Sequence, residues 1–76
     1  MSENNRKTIA SPVPGKVAEV KTKPGDQVKR GDLLLIVEAM KMYNRVLTPY
    51  DGVVREVAVS AGQKVNTSDP LVVIEV

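Results

Sequence analysis

A lysine held between two methionines, in the run Glu38-Ala39-Met40-Lys41-Met42, is the stretch of this chain whose residue types suggest chemistry. Lysine carries an amine on a flexible four-carbon stem, which lets an attached group sweep a wide arc. The methionines are flexible and polarisable, suited to a contact surface that fits more than one partner's pocket. Nothing in the chain is fitted to deprotonate the amine. There is no histidine and no cysteine, and a free lysine is protonated at neutral pH. Lys41 therefore reads as a residue that a partner activates and modifies. No catalytic residue and no metal site is expected in the chain itself. A lone surface lysine is ordinarily a solvated charge, so the run takes its meaning from the frame around it.

That frame is a duplication. Ser11–Glu38 aligns with Thr48–Glu75 at an offset of 37 residues, without a gap. Ten of the 28 aligned positions are identical: Pro12/Pro49, Gly15/Gly52, Val17/Val54, Glu19/Glu56, Val20/Val57, Gly25/Gly62, Val28/Val65, Asp32/Asp69, Leu34/Leu71 and Glu38/Glu75. Such halves form similar supersecondary units related by a pseudo-two-fold axis. Residues common to both halves are most simply scaffold, and residues found in one half are where function is to be sought. Met40-Lys41-Met42 lies at the seam and has no second copy.

Pro and Gly recur at short intervals, separated by stretches rich in Val, Ile, Leu and Thr, which is the pattern of an all-β sandwich or barrel. Strands are expected near Thr8–Ala10, Lys16–Thr22, Gln27–Val28, Leu33–Ala39, Met42–Leu47, Val53–Val59, Lys64–Val65 and Leu71–Val76. Gly15, Gly25, Gly52 and Gly62 read as structural turn residues, with Asp51-Gly52 as a tight-turn dipeptide. The apolar runs Leu33–Val37 and Leu71–Ile74 imply strands covered on both faces. The expected core is Leu34, Ile36, Leu71 and Val73 with the pairs Val17/Val54, Val20/Val57 and Val28/Val65.

The segment Leu33–Leu47 is rich in good helix formers, and by itself suits a helix as readily as a strand. The repeat decides for strand, because Leu34–Glu38 matches Leu71–Glu75 and Arg45–Leu47 matches Thr8–Ala10. Lys41 is then left at a hairpin tip. A two-residue primed turn needs φ > 0 at both central positions. Met40 and Lys41 would each lose on the order of 1 kcal/mol or more there. Folding alone does not select them.

A chain of 76 residues makes one small domain, burying only about 60% of its unfolded surface. The net charge is +2 and the basic residues are interleaved with acids. Tyr43 and Tyr50 are the sole aromatics. Nucleic-acid binding, which wants a basic stripe and stacking rings, is not expected. Residues 1–7 read as a flexible N-terminal segment before a domain spanning 8–76. No secretory signal and no membrane insertion are expected, so the location implied is the cytoplasm, or the mitochondrial matrix or plastid in a eukaryote.

Ala39-Met40-Lys41-Met42, preceded by Glu38 and followed by Val46-Leu47-Thr48-Pro49-Tyr50-Asp51-Gly52-Val53-Val54, resembles the biotinyl (biotin carboxyl carrier) domain. The resemblance covers residues 8–76 and includes Gly25–Val28. It implies a flattened barrel or sandwich of two four-stranded antiparallel sheets with Lys41 at a hairpin tip, joined to biotin by an amide. It also implies that Glu38, Ala39, Met40 and Met42 form the recognition surface. Glu75 repeats Glu38 where no such lysine exists, so Glu38 reads as a structural residue at the strand end rather than a catalytic one. The partners implied are a biotin protein ligase, a biotin carboxylase, and a carboxyltransferase or decarboxylase. The arm would shuttle a carboxyl group between their active sites.

Two departures from the family pattern stand out. Tyr43 occupies a position often acidic in relatives. The ungapped repeat leaves no room for the "thumb" loop of some acetyl-CoA carboxylase carriers, which points toward carriers of pyruvate, propionyl-CoA and related carboxylases, decarboxylases and transcarboxylases. The alternative is a lipoyl carrier domain of a 2-oxo-acid dehydrogenase complex, although Met flanks Lys41 on both sides where lipoyl domains usually have Asp and Ala. An unmodified lipoyl-like interaction module would need no lysine at the tip.

Overall fold

The computed structural model describes residues 5–76. Its strands are β1 (Arg6–Ala10), β2 (Gly15–Val20), β3 (Gln27–Val28), β4 (Leu33–Ala39), β5 (Met42–Leu47), β6 (Gly52–Val57), β7 (Lys64–Val65) and β8 (Pro70–Glu75). They form two four-stranded antiparallel sheets, β1-β8-β6-β3 (sheet A) and β5-β4-β2-β7 (sheet B). The sheets remain separate layers, so the architecture is a flattened sandwich and not a closed barrel. β1 begins at Arg6, two residues before the expected start; of the segment expected to be flexible, residues 1–4 lie outside the described residues.

The duplication holds bond by bond. Arg6 pairs Glu75 in sheet A as Tyr43 pairs Glu38 in sheet B. Val54 pairs Ile74 as Val17 pairs Val37. Each repeat also reaches into the other: Gly25 N donates to Val54 O at 2.8 Å, and Gly62 N donates to Val17 O at 2.7 Å. The halves are therefore interlocked and fold as one unit. The turns match as well. The Lys23 amide donates to Asp26 Oδ2 at 3.0 Å and holds that carboxyl below its ordinary pKa, while the Ser60 amide donates to the amide oxygen of Gln63 at 3.1 Å.

Gly25 and Gly62 lie at φ 97° and 92°, where a side chain is disfavoured. Gly15 and Gly52 correct the turn reading. They open strands β2 and β6, and a Cβ at either would collide with a backbone carbonyl oxygen, of Glu38 or Glu75 respectively. Asp51-Gly52 likewise makes no primed turn. Gly52 already belongs to β6, after the chain has crossed from sheet B to sheet A. Asp51 Oδ1 instead accepts the Arg30 amide at 2.7 Å and ties that crossing down.

The core consists of Ile9, Val17, Val28, Leu34, Leu35, Val37, Val46, Val54, Val59, Val65, Leu71, Val72 and Ile74. Ile36 and Val73, expected inside, are half-buried on the outer faces, and Val20 and Val57 are half-buried as well. The cause is a register shift between Leu33 and Leu35 on β4, repeated between Pro70 and Val72 on β8, while β2 and β6 carry their own matching shifts between Val17 and Glu19 and between Val54 and Glu56. A bulge inserts one extra residue and resets the inward–outward alternation. Consequently Leu34 and Leu35 both point inward, and the outer faces of β4 and β8 are only partly covered.

Val76 N donates to Asn5 O at 2.7 Å, closing the β1–β8 pair where the chain is open. Val76 lines an open hollow together with Arg30, Pro49 and Tyr50, at the Leu33 end of β4. Met40-Lys41 stands at the other end of that strand, remote from both described chain ends.

Candidate functional site

The β4–β5 pair runs in register from Glu38↔Tyr43 to Ala39↔Met42, leaving Met40 and Lys41 as a two-residue tip. Their φ values are 53° and 66°, the signature of a primed hairpin turn. Both are non-glycine residues in the left-handed region, so the tip carries the backbone cost expected of it. At the third pair from the tip the Asn44 side-chain amide donates to Val37 O at 3.3 Å, a further clasp across the two strands. Leu34 and Leu35 of β4 anchor the base of the hairpin in the core.

The tip is bare of cover. Met40 is 95% exposed, Met42 66% and Tyr43 68%. Lys41 is exposed and enters none of the ion pairs among the described residues. A primary amine in this setting is sterically free to be acylated, so the site fits a prosthetic group attached through an amide. Exposed methionine and tyrosine clustered at a strained turn are costly to leave in water and gain by being covered, which marks a contact surface.

Of the remaining residues expected to be read by partners, Glu38 and Ala39 are half-buried at the end of β4. Gly15 lets β2 approach the Glu38 carbonyl and so positions the hairpin arm. Beneath the tip an open groove of about 490 Å³ runs past Gly15, Lys16, Glu38, Lys41, Lys64 and Val65. Lys16 and Lys64, which pair across β2 and β7, were not singled out by motif. A signal for them exists in the repeat, where the equivalent positions hold Val53 and Gln27. No set of three or more His, Cys, Asp or Glu among the described residues is arranged to hold a metal ion. No helix among them is long and apolar enough to cross a membrane.

Replacing Met40 by Asn and Lys41 by Gly, the pair best suited to this turn, is expected to stabilise the domain by on the order of 1 kcal/mol or more. A denaturant midpoint that stays put or falls would show that the tip is not strained.

The family model described as biotin-requiring enzyme matches residues 7–74. Over 40 residues the chain is 55% identical to glutaconyl-CoA decarboxylase subunit gamma of Acidaminococcus fermentans, covering 53% of this chain and 28% of that one. Over 39 residues it is 50% identical to methylmalonyl-CoA decarboxylase subunit gamma of Veillonella parvula, covering 51% of this chain and 30% of that one. The chain therefore spans less than a third of the length of these curated relatives. A solved single-chain, multi-domain long-chain acyl-CoA carboxylase matches with a TM-score of 0.90 at 31% identity, covering 99% of this chain and 8% of that chain. Because the family match runs through both repeats and across the tip between them, the chain belongs to the biotin–lipoyl attachment family of biotin-requiring enzymes.

Proposed function

We propose that this domain is the biotin carrier of a carboxylase or decarboxylase complex, with biotin in amide linkage to Lys41. The observation that carries this reading is the unprotected lysine on a two-residue turn that its own residues disfavour. Bound biotin supplies a ureido nitrogen that takes up and gives back a carboxyl group. The protein's part is mechanical. The paired strands fix the root of the arm, Met40 and Met42 offer a surface that several active sites can cover, and the lysine stem gives reach. Residues outside the domain do the chemistry.

Loading requires a biotin protein ligase. Lys41 Nζ attacks the acyl carbonyl that the ligase presents as an adenylate. The C–N bond forms as the acyl–oxygen bond breaks, AMP departs, and the ammonium proton passes to the ligase or to solvent. The sequence similarity to decarboxylase gamma subunits supports a complex that acts on an acyl-CoA.

Recognition on this reading depends on the folded hairpin and not on the tripeptide. The domain has already ordered the tip, whereas a short peptide containing Glu38–Met42 must do so on binding. Such a peptide is expected to be a far poorer ligase substrate than the domain. Equal rates of labelling, followed by mass spectrometry, would contradict this.

A further inference from the structure

We infer that the hollow on the outer face of sheet B beside the tip receives an arginine side chain of the ligase that modifies Lys41. The inference rests on the carrier reading and on a comparison of the two halves. In sheet A, Arg55 sits at the bulge of β6 and its Nε donates to Glu75 Oε1 at 2.8 Å. Arg6 stands directly opposite the same glutamate on β1. Glu75 thus has one bonded arginine and a second beside it.

The equivalent positions in sheet B are Ala18 and Tyr43, and both arginines are gone. What remains is a depression of about 350 Å³ lined by Ala18, Glu19, Ile36 and Tyr43. Glu38, the counterpart of Glu75, enters no ion pair among the described residues. Lys16 lies opposite it on β2, and Arg45 lies two pairs further along β5, opposite Ile36, yet neither forms an ion pair with Glu38. Glu19, on the rim, is already engaged by Lys21 at 3.1 Å.

The sheet A half therefore shows what fills this place when the fold supplies it. A guanidinium entering over Ala18 can reach Glu38 as Arg55 reaches Glu75, because the bulge and the pairing are the same in both. Tyr43 adds a flat exposed ring on which a planar cation stacks, and Ile36 forms an apolar floor for the stem. Arginine suits the site better than lysine, since only its planar group can stack and bond a carboxylate together. Any protein that brings a reactive carbonyl to Lys41 must cover the tip, and Tyr43 is the next residue after Met42.

The test uses the chain's own symmetry. Ala18→Arg installs the missing arginine and closes the hollow from within. It should fold normally, because Arg55 occupies the same place in the other half. With biotin ligase, ATP and biotin, its KM is expected to rise by about tenfold or more with kcat little changed. Tyr43→Arg, the residue that Arg6 provides in sheet A, should act in the same direction, whereas Arg55→Ala should retain the wild-type KM. Wild-type KM in both Ala18→Arg and Tyr43→Arg would overturn the inference, as would an equal rise in Arg55→Ala. If Ala18→Arg fails to fold, Tyr43→Arg decides alone. Failure of the wild-type domain to accept biotin would refute the carrier reading instead, so the two are distinguishable.

Discussion

Lys41→Arg is expected to eliminate biotin incorporation entirely and leave the melting curve where it was. Arginine keeps the positive charge and most of the stem, but its guanidinium stays protonated and is a poor nucleophile. The turn gains no new strain, since arginine meets the same left-handed backbone at φ 66° that lysine already occupies. The side chain is exposed and unpaired among the described residues, where substitutions usually stay within about ±0.5 kcal/mol. Loss of labelling with an unchanged thermal midpoint separates a carrier residue from a structural one. An Arg variant that unfolds would show Lys41 to be structural. One that still gains biotin would place the attachment on another lysine.

Truncating Leu34 or Leu71 to Ala should cost roughly 2–5 kcal/mol each. Both side chains are fully buried, at 0% exposure, and each occupies the same place in its half. The two losses should therefore be similar. In a domain of this size the upper end of that range approaches the whole folding free energy. Ile36→Ala is the internal control: it should cost clearly less than Leu34→Ala, because Ile36 faces outward and is half-buried. Chemical denaturation of the three variants checks the order, and an Ile36 variant as damaging as the Leu34 variant would contradict the bulged register.

The duplication made the topology legible from the chain alone. It assigned Leu33–Leu47 to two strands against its helical composition, and it placed Met40-Lys41 at a turn that required positive φ. What stayed hidden was the parity of the buried strands. Leu33–Val37 and Leu71–Ile74 are apolar at every position, so nothing in their composition tells which residues face inward. The register shifts at Leu34 and Leu71 are likewise silent in the residue types, yet they bury two successive residues on each strand and leave Ile36 and Val73 facing outward. Gly15 and Gly52 were legible as required glycines. The reason for them was not, because the carbonyls they make room for, Glu38 and Glu75, lie on other strands. The site divides in the same way. Lys41 and its methionines are a contiguous run, whereas the hollow at Ala18 becomes visible only once Arg55 is seen bonded to Glu75.

The most direct test of the central claim is the mass of the intact domain before and after incubation with biotin ligase, ATP and biotin, followed by mapping of the modified fragment. The account predicts one biotin per chain, on Lys41. No mass gain, biotin on a different lysine, or a lipoyl group accepted from a lipoate ligase in its place would contradict it.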